Sequence, residues 1–180
     1  METIKGLKRT NYCGELRIED AGKEVTLFGW CQRQRDLGNL IFIDLRDRTG
    51  LVQLSFNDTT DREVFAKAQS VRAEYVVAAV GTVCERESKT NKIATGDIEI
   101  NVKEFRIISK AETPPFEIAK SEKVGDETTL KYRYLNLRNE KLTQNILMRH
   151  KIAKIAREYF YDNDFIEIET PMMIKSTPEG

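Results

Sequence analysis

Residues 29–53, GWCQRQRDLGNLIFIDLRDRTGLVQ, constrain the fold more than any other stretch of this chain. Two short segments, residues 36–39 (DLGN) and 47–50 (DRTG), consist of residue types that favour tight turns. The residues between and around them are rich in apolar and β-branched side chains. The stretch therefore predicts three antiparallel strands that follow one another as a meander.

Side chains along a strand alternate between its two faces. In the middle strand this rule places Ile41, Ile43 and Leu45 on the buried face and Phe42 on the polar face. The other residues on the polar face are Leu40, Asp44 and Arg46. A large aromatic side chain is therefore predicted on a polar sheet surface.

The third strand continues the pattern. Apolar residues at 52, 54 and 56 mark its buried face, so Gln53 and Ser55 are predicted to face solvent. Phe42 and Gln53 then share one surface, and the arginines that flank it are Arg33, Arg35, Arg46 and Arg48. A ring that stacks on a base, cations that hold phosphates and an amide that reads a base edge together suit single-stranded nucleic acid.

An ordinary protein surface explains the same residues without a ligand. Another part of the chain can cover a phenylalanine on a polar face. Arginines that alternate with Asp36, Asp44 and Asp47 can form ion pairs with them in solvent. The stretch alone leaves both interpretations open.

Composition limits how nucleic acid could bind. Among 180 residues, 29 Lys and Arg balance 29 Asp and Glu, so binding requires a local patch rather than a broad basic field. No apolar run approaches the roughly 18 residues that span a bilayer, and no signal peptide precedes the first strand. The sequence therefore predicts a globular cytoplasmic protein with no membrane partner.

No metal site is predicted. Cys13, Cys31 and Cys84 are odd in number and far apart, which indicates buried or incidental thiols rather than disulfides or zinc ligands. The single histidine, His150, has no partner at ligand spacing and is expected on a helix surface. Trp30, the single tryptophan, is expected in the core.

The segments around the meander complete a recognisable order of elements. A strand at 24–33 enters the meander, a helix is predicted at 61–73, and strands are predicted at 75–86 and 97–108. Three strands, a helix and two strands give a five-stranded barrel with the topology of an OB-fold. Strands two and three carry the ligand face of such a fold, and Glu99 can join Phe42 and Gln53 from the fifth.

The second part of the chain has a different character. Pro114-Pro115 and the charged run at 121–127 interrupt the strands, and residues 131–138 alternate basic and aromatic types that suit either RNA contact or packing at a domain junction. A helix is predicted at 140–161, and its apolar stripe is expected to be buried: Met148, Ile152, Ile155 and Tyr159. Residues 162–164 (DND) end that helix, and a strand is predicted at 165–170.

A long helix followed by a strand that ends in proline, REYFYDNDFIEIETP, resembles the first signature motif of class II aminoacyl-tRNA synthetases. A barrel ahead of that motif resembles the subgroup for aspartate, asparagine and lysine. The strings GWCQRQRDLGNLIFIDLRDRTGLVQ, LKYRYLNLR and IETPMMIKSTPEG are similar to bacterial-type aspartyl-tRNA synthetases. Two positions depart from the family pattern: Asn136 replaces an aspartate, and Asp164 replaces a glycine.

The resemblance implies roles for five residues of the barrel. Phe42 is expected to stack on an anticodon base, Gln53 to read the central uridine and Glu99 to contact the first anticodon base, a guanine. Arg35 and Arg86 are expected to contact the anticodon loop. The implied domains are an anticodon-binding barrel at 1–109, a hinge at 110–138 and the start of a class II α+β catalytic domain at 139–180.

The resemblance also implies roles beyond the barrel. Glu179 matches a glutamate that helps to hold the substrate aspartate, although spacing alone suggests only a solvated turn residue. Pro171 and the helix before it imply a homodimer interface. The enzyme of this family uses ATP and Mg²⁺ to join L-aspartate to tRNA(Asp).

Motifs two and three of the family are not found in the 180 residues. We therefore expect no catalytic residue and no bound cofactor in this chain, and no adenylate formation by it alone. Two alternatives stay open: a sibling ligase for asparagine or lysine, and a non-catalytic single-strand-binding module. Leu37 occupies a position that varies between leucine and histidine in the family and bears on whether asparagine tRNA is accepted.

Overall fold

The computed structural model describes residues 2–173 and divides the chain into two compact units, Met1–Pro115 and Phe116–Gly180. The first unit is a closed barrel with the strand order β1-β2-β3-β5-β4. Its strands are β1 (Glu24–Asp36), β2 (Ile41–Arg46), β3 (Leu51–Phe56), β4 (Val76–Glu85) and β5 (Ile98–Ser109). The predicted five-stranded OB-fold is thus confirmed.

The single helix of the barrel unit, α1 (Arg62–Ser70), lies between β3 and β4 in the chain, as predicted. It begins after Asp61, whose carboxylate accepts the backbone N–H groups of Glu63 and Val64. These bonds satisfy donors that the first helical turn leaves open. A short 3₁₀ turn, Cys13–Glu15, packs ahead of β1.

Inward-facing side chains of all five strands fill the barrel. Ile41, Ile43 and Leu45 are fully buried, which confirms the face assignment in β2. The rings of Phe56 and Phe105 meet edge-on with centroids 5.1 Å apart. Trp30 was expected in the same core, and this expectation is wrong. It alternates with buried residues 29 and 31, faces outward and is only half-buried.

Gly29 shows why β1 can bend around the barrel. A Cβ atom at this position would collide with the carbonyl oxygen of Arg46 on the neighbouring strand. Only glycine allows the two backbones to approach so closely. The constraint holds β1 against β2 near the outward-facing pair Trp30 and Arg46.

In its described part, residues 116–173, the second unit contains a 3₁₀ segment (Ile118–Lys123) and three helices: α2 (Asp126–Lys131), α3 (Arg133–Asn136) and α4 (Glu140–Asp162). Phe116, Ile118 and Leu135 form its small buried cluster. Leu135 and Asn136 belong to the alternating segment 131–138, so part of that segment packs within its own unit. No helix within residues 2–173 is both long and apolar enough to cross a membrane.

Helix α4 ends as the sequence predicts. Asp164 adopts a left-handed conformation with φ of 65°. The N–H of Phe165 then donates to the carbonyl of Phe160 at 3.0 Å, which closes the helix end. His150 lies exposed on this helix, as expected.

Two expectations about the second unit are wrong. The stripe on α4 is exposed rather than buried, with Met148, Ile152, Ile155 and Tyr159 between 59% and 64% accessible. Residues 165–170 form no strand. A strand needs a hydrogen-bonded neighbour and a stripe needs a packing partner, and residues 2–173 supply neither.

Candidate nucleic-acid interface

The five residues predicted for nucleic-acid binding lie on or beside one outer face of the barrel. Strand pairing sets Arg35 opposite Phe42 and places Gln53 beside Glu99. Arg86 follows β4 directly, and its backbone N–H donates to Asp97 at 2.9 Å. Although up to 64 residues separate them in the chain, the barrel brings all five together.

Gln53 is the centre of a continuous hydrogen-bond network. Its Oε1 accepts bonds from Nη2 of Arg35 at 2.9 Å and from Nη2 of Arg86 at 2.6 Å. Its Nε2 donates to Oε2 of Glu99 at 2.7 Å. The two guanidinium groups and the carboxylate thus surround one amide. We call this set of four side chains the Gln53 network.

Phe42 lies next to the Gln53 network. The guanidinium carbon of Arg35 is 5.5 Å from the centroid of the Phe42 ring, a distance at which cation and ring attract each other. The ring is half-buried on the outer face of β2. An aromatic ring in contact with a cation on an OB-fold sheet is a suitable platform for a base.

The predicted solvent exposure of Gln53 and Ser55 is wrong, although their face is right. Both point away from the barrel core, yet each is only 3% accessible. Long side chains from other strands cover Gln53, and the hydroxyl of Ser55 donates to the carbonyl of Ile100 at 3.3 Å. A polar face is not an exposed face where arginines and carboxylates bridge across it.

Hydrogen-bond donors are in excess around Gln53. Nε of Arg35 and Nε of Arg86 are buried and have no acceptor within residues 2–173. Both lone pairs of the Gln53 carbonyl are occupied, whereas only one of its two N–H groups has an acceptor among residues 2–173. Buried donors usually have partners, so this site is suited to a ligand that supplies acceptors.

Asp44 is the member of this site that the sequence placed on the polar face and among the possible ion-pair partners of the arginines, with no role in nucleic-acid binding. Its Oδ1 accepts from Nη2 of Arg35 at 2.9 Å, and it lies directly opposite Gln53 in the β2–β3 ladder. The signal was present in the sequence, because Asp44 and Phe42 are two residues apart and share a face. Arg35, however, lies on β1, a different strand from those of Asp44 and Gln53.

Arg46, also predicted to flank the surface, has a different environment. Its Nη2 contacts both carboxylate oxygens of Glu74, at 2.9 and 2.8 Å. The two side chains are only 13% and 7% exposed. Glu74 reaches this position with a left-handed backbone, φ 64°, which is uncommon outside glycine. Arg46 therefore stabilises the fold through this buried ion pair. Arg33 and Arg48 are exposed.

The turn between β2 and β3 is fixed by Asp47. Its carboxylate accepts the backbone N–H of Cys13 at 2.7 Å and that of Thr49 at 2.8 Å. Burial opposes ionisation of this group, but these hydrogen bonds outweigh burial and hold the pKa of Asp47 below its usual value. The turn that leads into Gln53 is thereby held to the 3₁₀ turn before β1.

Two of the three thiols lie in the buried core and not in this interface. Cys13 and Cys31 are buried, as predicted. Burial raises the pKa of the Cys31 thiol to about 12, with Asp44 and Glu74 adding to the effect, so it stays protonated. Within residues 2–173, no cluster of His, Cys, Asp and Glu side chains could hold a metal ion. Pro171 is exposed, and Glu179 lies outside the described residues.

Comparison with known proteins assigns both units. Residues 25–108 match the family described as "OB-fold nucleic acid binding domain". Residues 125–180 match the family described as "tRNA synthetases class II (D, K and N)".

Individual relatives agree with these matches. An aspartate–tRNA ligase of Ruminiclostridium cellulolyticum is 53% identical over 99% of this chain and 30% of its own length. An aspartate–tRNA(Asp/Asn) ligase of Caldanaerobacter subterraneus subsp. tengcongensis is 53% identical over 99% of this chain and 31% of its own. The aspartyl tRNA synthetase from Entamoeba histolytica superposes with a TM-score of 0.84 at 27% identity, over 93% of this chain and 40% of that one.

The chain thus spans about 30% of the length of these curated relatives. Within that span, the two family matches cover residues 25–108 and 125–180, and the identity to both ligases extends over 99% of the chain. Along nearly its whole length, the chain is homologous to the aspartate–tRNA ligases among the class II synthetases.

Proposed function

We propose that the barrel is the anticodon-binding domain of an aspartate–tRNA ligase. The observation that carries the proposal is the Gln53 network, in which four of the five predicted residues join on the ligand face of an OB-fold. Phe42, the fifth, is in contact with that network through Arg35. The homologous ligases supply the substrate class.

In this proposal each residue has a separate task. Phe42 stacks on an anticodon base, which is worth about 1–3 kcal/mol for a base on an aromatic platform. Gln53 reads the central uridine. Glu99 has one carboxylate oxygen bonded to Gln53 and a second oxygen for the amino and imino groups of a guanine. Arg35 and Arg86 hold the site together and contribute positive charge against the phosphates.

The complete activity is also part of the proposal. The full-length ligase would use ATP and Mg²⁺ to activate L-aspartate and transfer it to tRNA(Asp) in the cytoplasm. Glu179 would contact the substrate aspartate, and α4 with Pro171 would form a homodimer interface. The proposed domains are residues 1–109 for the anticodon, 110–138 for the hinge and 139–180 for the start of the catalytic domain.

A binding titration tests the anticodon assignment. The chain is titrated with an anticodon stem-loop that carries GUC, and with the same stem-loop in which cytidine replaces the central uridine. We expect the replacement to cost about 1–3 kcal/mol, the usual range for one mismatched base contact. Equal affinity for both loops would instead mark the face as a general single-strand surface.

Asparagine tRNA is a second candidate substrate, because one of the relatives is named an aspartate–tRNA(Asp/Asn) ligase. Its anticodon, GUU, shares the first two bases with GUC, and these are the bases that Glu99 and Gln53 are proposed to read. Leu37, 69% exposed in the turn between β1 and β2, is the residue that we expect to bear on the choice. A titration with GUC and GUU loops distinguishes the two candidates.

A further inference from the structure

The direction of the Gln53 amide is fixed by its surroundings. An amide group can present either its oxygen or its nitrogen to a given neighbour. Here two guanidinium groups, which only donate, face one side, and the Glu99 carboxylate, an acceptor when ionised, faces the other. The opposite direction would set donor against donor twice and acceptor against acceptor once. Only one direction satisfies all three neighbours.

Arg35 is itself held in place by Asp44. The same nitrogen, Nη2, donates to Oδ1 of Asp44 and to Oε1 of Gln53, each at 2.9 Å. The Asp44 side chain is 27% exposed, so solvent only partly screens the pair. Because Asp44 also lies opposite Gln53 in the ladder, it limits where the guanidinium of Arg35 can lie.

The fixed direction decides what Gln53 can offer to a base. Its carbonyl is occupied twice, and one N–H is bonded to Glu99, so one N–H remains. The buried Nε groups of Arg35 and Arg86, which have no acceptor within residues 2–173, are donors as well. Gln53 and the two arginines can therefore offer only donors to a base edge.

We propose that Asp44 is a positioning residue that, through Arg35, holds Gln53 as a donor, so that the site selects a base carbonyl and rejects an amino group. Uracil and cytosine differ in this way, because uracil carries the O4 acceptor where cytosine carries the N4 donor. A cytosine would leave donors facing each other beside a Gln53 side chain that is only 3% accessible, and that costs more than the loss of one bond. The inference rests on the proposed function and adds the chemical rule by which the site chooses.

A third base separates rejection from the mere loss of a bond. A stem-loop with 2-pyrimidinone at the central position carries neither the carbonyl nor the amino group there. We expect uridine to bind tightest, 2-pyrimidinone next and cytidine weakest, with at least about threefold between the last two. Equal affinity for 2-pyrimidinone and cytidine would overturn the donor rule.

Variants test the role of Asp44. Asp44→Ala is expected to lower the ratio of uridine to cytidine affinity by at least about threefold, because Arg35 loses its anchor and only Arg86 and Glu99 still hold the amide. Removal of a negative charge strengthens phosphate contacts with both loops alike, so the ratio, and not the affinity, is the readout. Asp44→Asn keeps an oxygen that accepts from Arg35 and is expected to restore most of the ratio.

The matched control is Glu24→Ala. Glu24 is also a strand carboxylate in an ion pair, with Lys103 at 2.8 Å, but it has no bond to the Gln53 network. The ratio of uridine to cytidine affinity should be the same for Glu24→Ala as for the wild-type chain. An Asp44→Ala ratio that is also unchanged would overturn the positioning role, and an Asp44→Asn ratio as low as that of Asp44→Ala would do the same.

The outcomes keep the two proposals apart. If the wild-type chain prefers uridine but the Asp44→Ala ratio does not fall, anticodon recognition stands and the inference about Asp44 fails. If the wild-type chain does not distinguish uridine from cytidine, the proposed function fails and the inference fails with it. The base series on the wild-type chain tests the donor rule even if Asp44→Ala does not fold.

Discussion

Two arginines on the outer face of the barrel have opposite surroundings. Arg46 on β2 directs one nitrogen at both oxygens of Glu74, in a pair that is almost fully buried. Arg35 on β1 divides one nitrogen between Asp44 and Gln53, and its buried Nε has no acceptor in the described part of the chain. The comparison shows that the surplus of donors, and not the residue type or the face, distinguishes a candidate site from a structural pair.

The largest effect is expected where the structural pair is broken. Arg46→Ala leaves the Glu74 carboxylate buried without its cation, which typically costs about 3–5 kcal/mol of the free energy of unfolding. Urea denaturation measures the loss. Binding of the anticodon stem-loop by the folded fraction should keep its preference for uridine.

The control for this variant is Lys103→Ala, which breaks an ion pair whose two side chains are each 60% exposed. Exposed pairs contribute at most about 1 kcal/mol, so this variant should unfold almost as the wild type does. Similar losses for Arg46→Ala and Lys103→Ala would contradict the structural role of the Arg46–Glu74 pair.

The next effect falls on binding instead of stability. Phe42→Ala removes the proposed platform and should cost about 1–3 kcal/mol of stem-loop affinity. Phe28→Ala is the matched control, since Phe28 is also half-buried on the outer face and also lies beside an arginine, Arg9, but is seven residues from Arg35 along β1. A titration that gives Phe42→Ala the affinity of the wild type would remove Phe42 from the site.

A smaller effect is expected from Asp47, and it depends on pH. Because the folded-state pKa is lowered, the stabilising effect is complete above the unfolded-state pKa, about 3.9, and is lost as pH falls through the folded value. Asp47→Asn should therefore cost about 1 kcal/mol at neutral pH, in a turn that water partly reaches. The difference from the wild type should shrink in acid; a constant difference across pH would show that the charge of Asp47 is not involved.

The smallest effect is expected in the second unit. Ile152→Ser changes a side chain that is 61% exposed on α4, and substitutions at exposed sites usually stay within about 0.5 kcal/mol. Thermal unfolding at two protein concentrations tests this. A larger loss that grows with concentration would mean that a second copy covers the stripe in solution.

The alternation of side chains between the two faces of β2 and β3 was enough to predict much of the site. It placed Phe42 and Gln53 on one face before any contact was known, and the order of strands and helix gave the barrel. The alternation could not predict the burial of Gln53, because its cover comes from Arg86 and Glu99, 33 and 46 residues away in the chain. Exposure depends on such distant side chains, whereas the face depends only on neighbours.

The remaining errors have the same origin. The ion-pair partner of Arg46, Glu74, lies 28 residues away in the chain. No turn pattern in the sequence predicts its left-handed backbone conformation. Trp30 was expected in the core on account of its residue type, yet its position between buried residues 29 and 31 sends it outward. The stripe on α4 was recognised correctly as apolar, but a sequence pattern does not say what covers it.

Gln53 and Glu99 also lie where the barrel closes. Their strands, β3 and β5, pair in parallel over three positions, Gln53↔Glu99, Leu54↔Ile100 and Ser55↔Asn101. Parallel pairing between distant segments forms slowly and is costly to close. The recognition site therefore exists only in molecules in which β3 and β5 are paired. A bound anticodon should slow hydrogen exchange along the β3–β5 pairing more than elsewhere in the barrel. Anticodon recognition is therefore thermodynamically coupled to closure of the barrel.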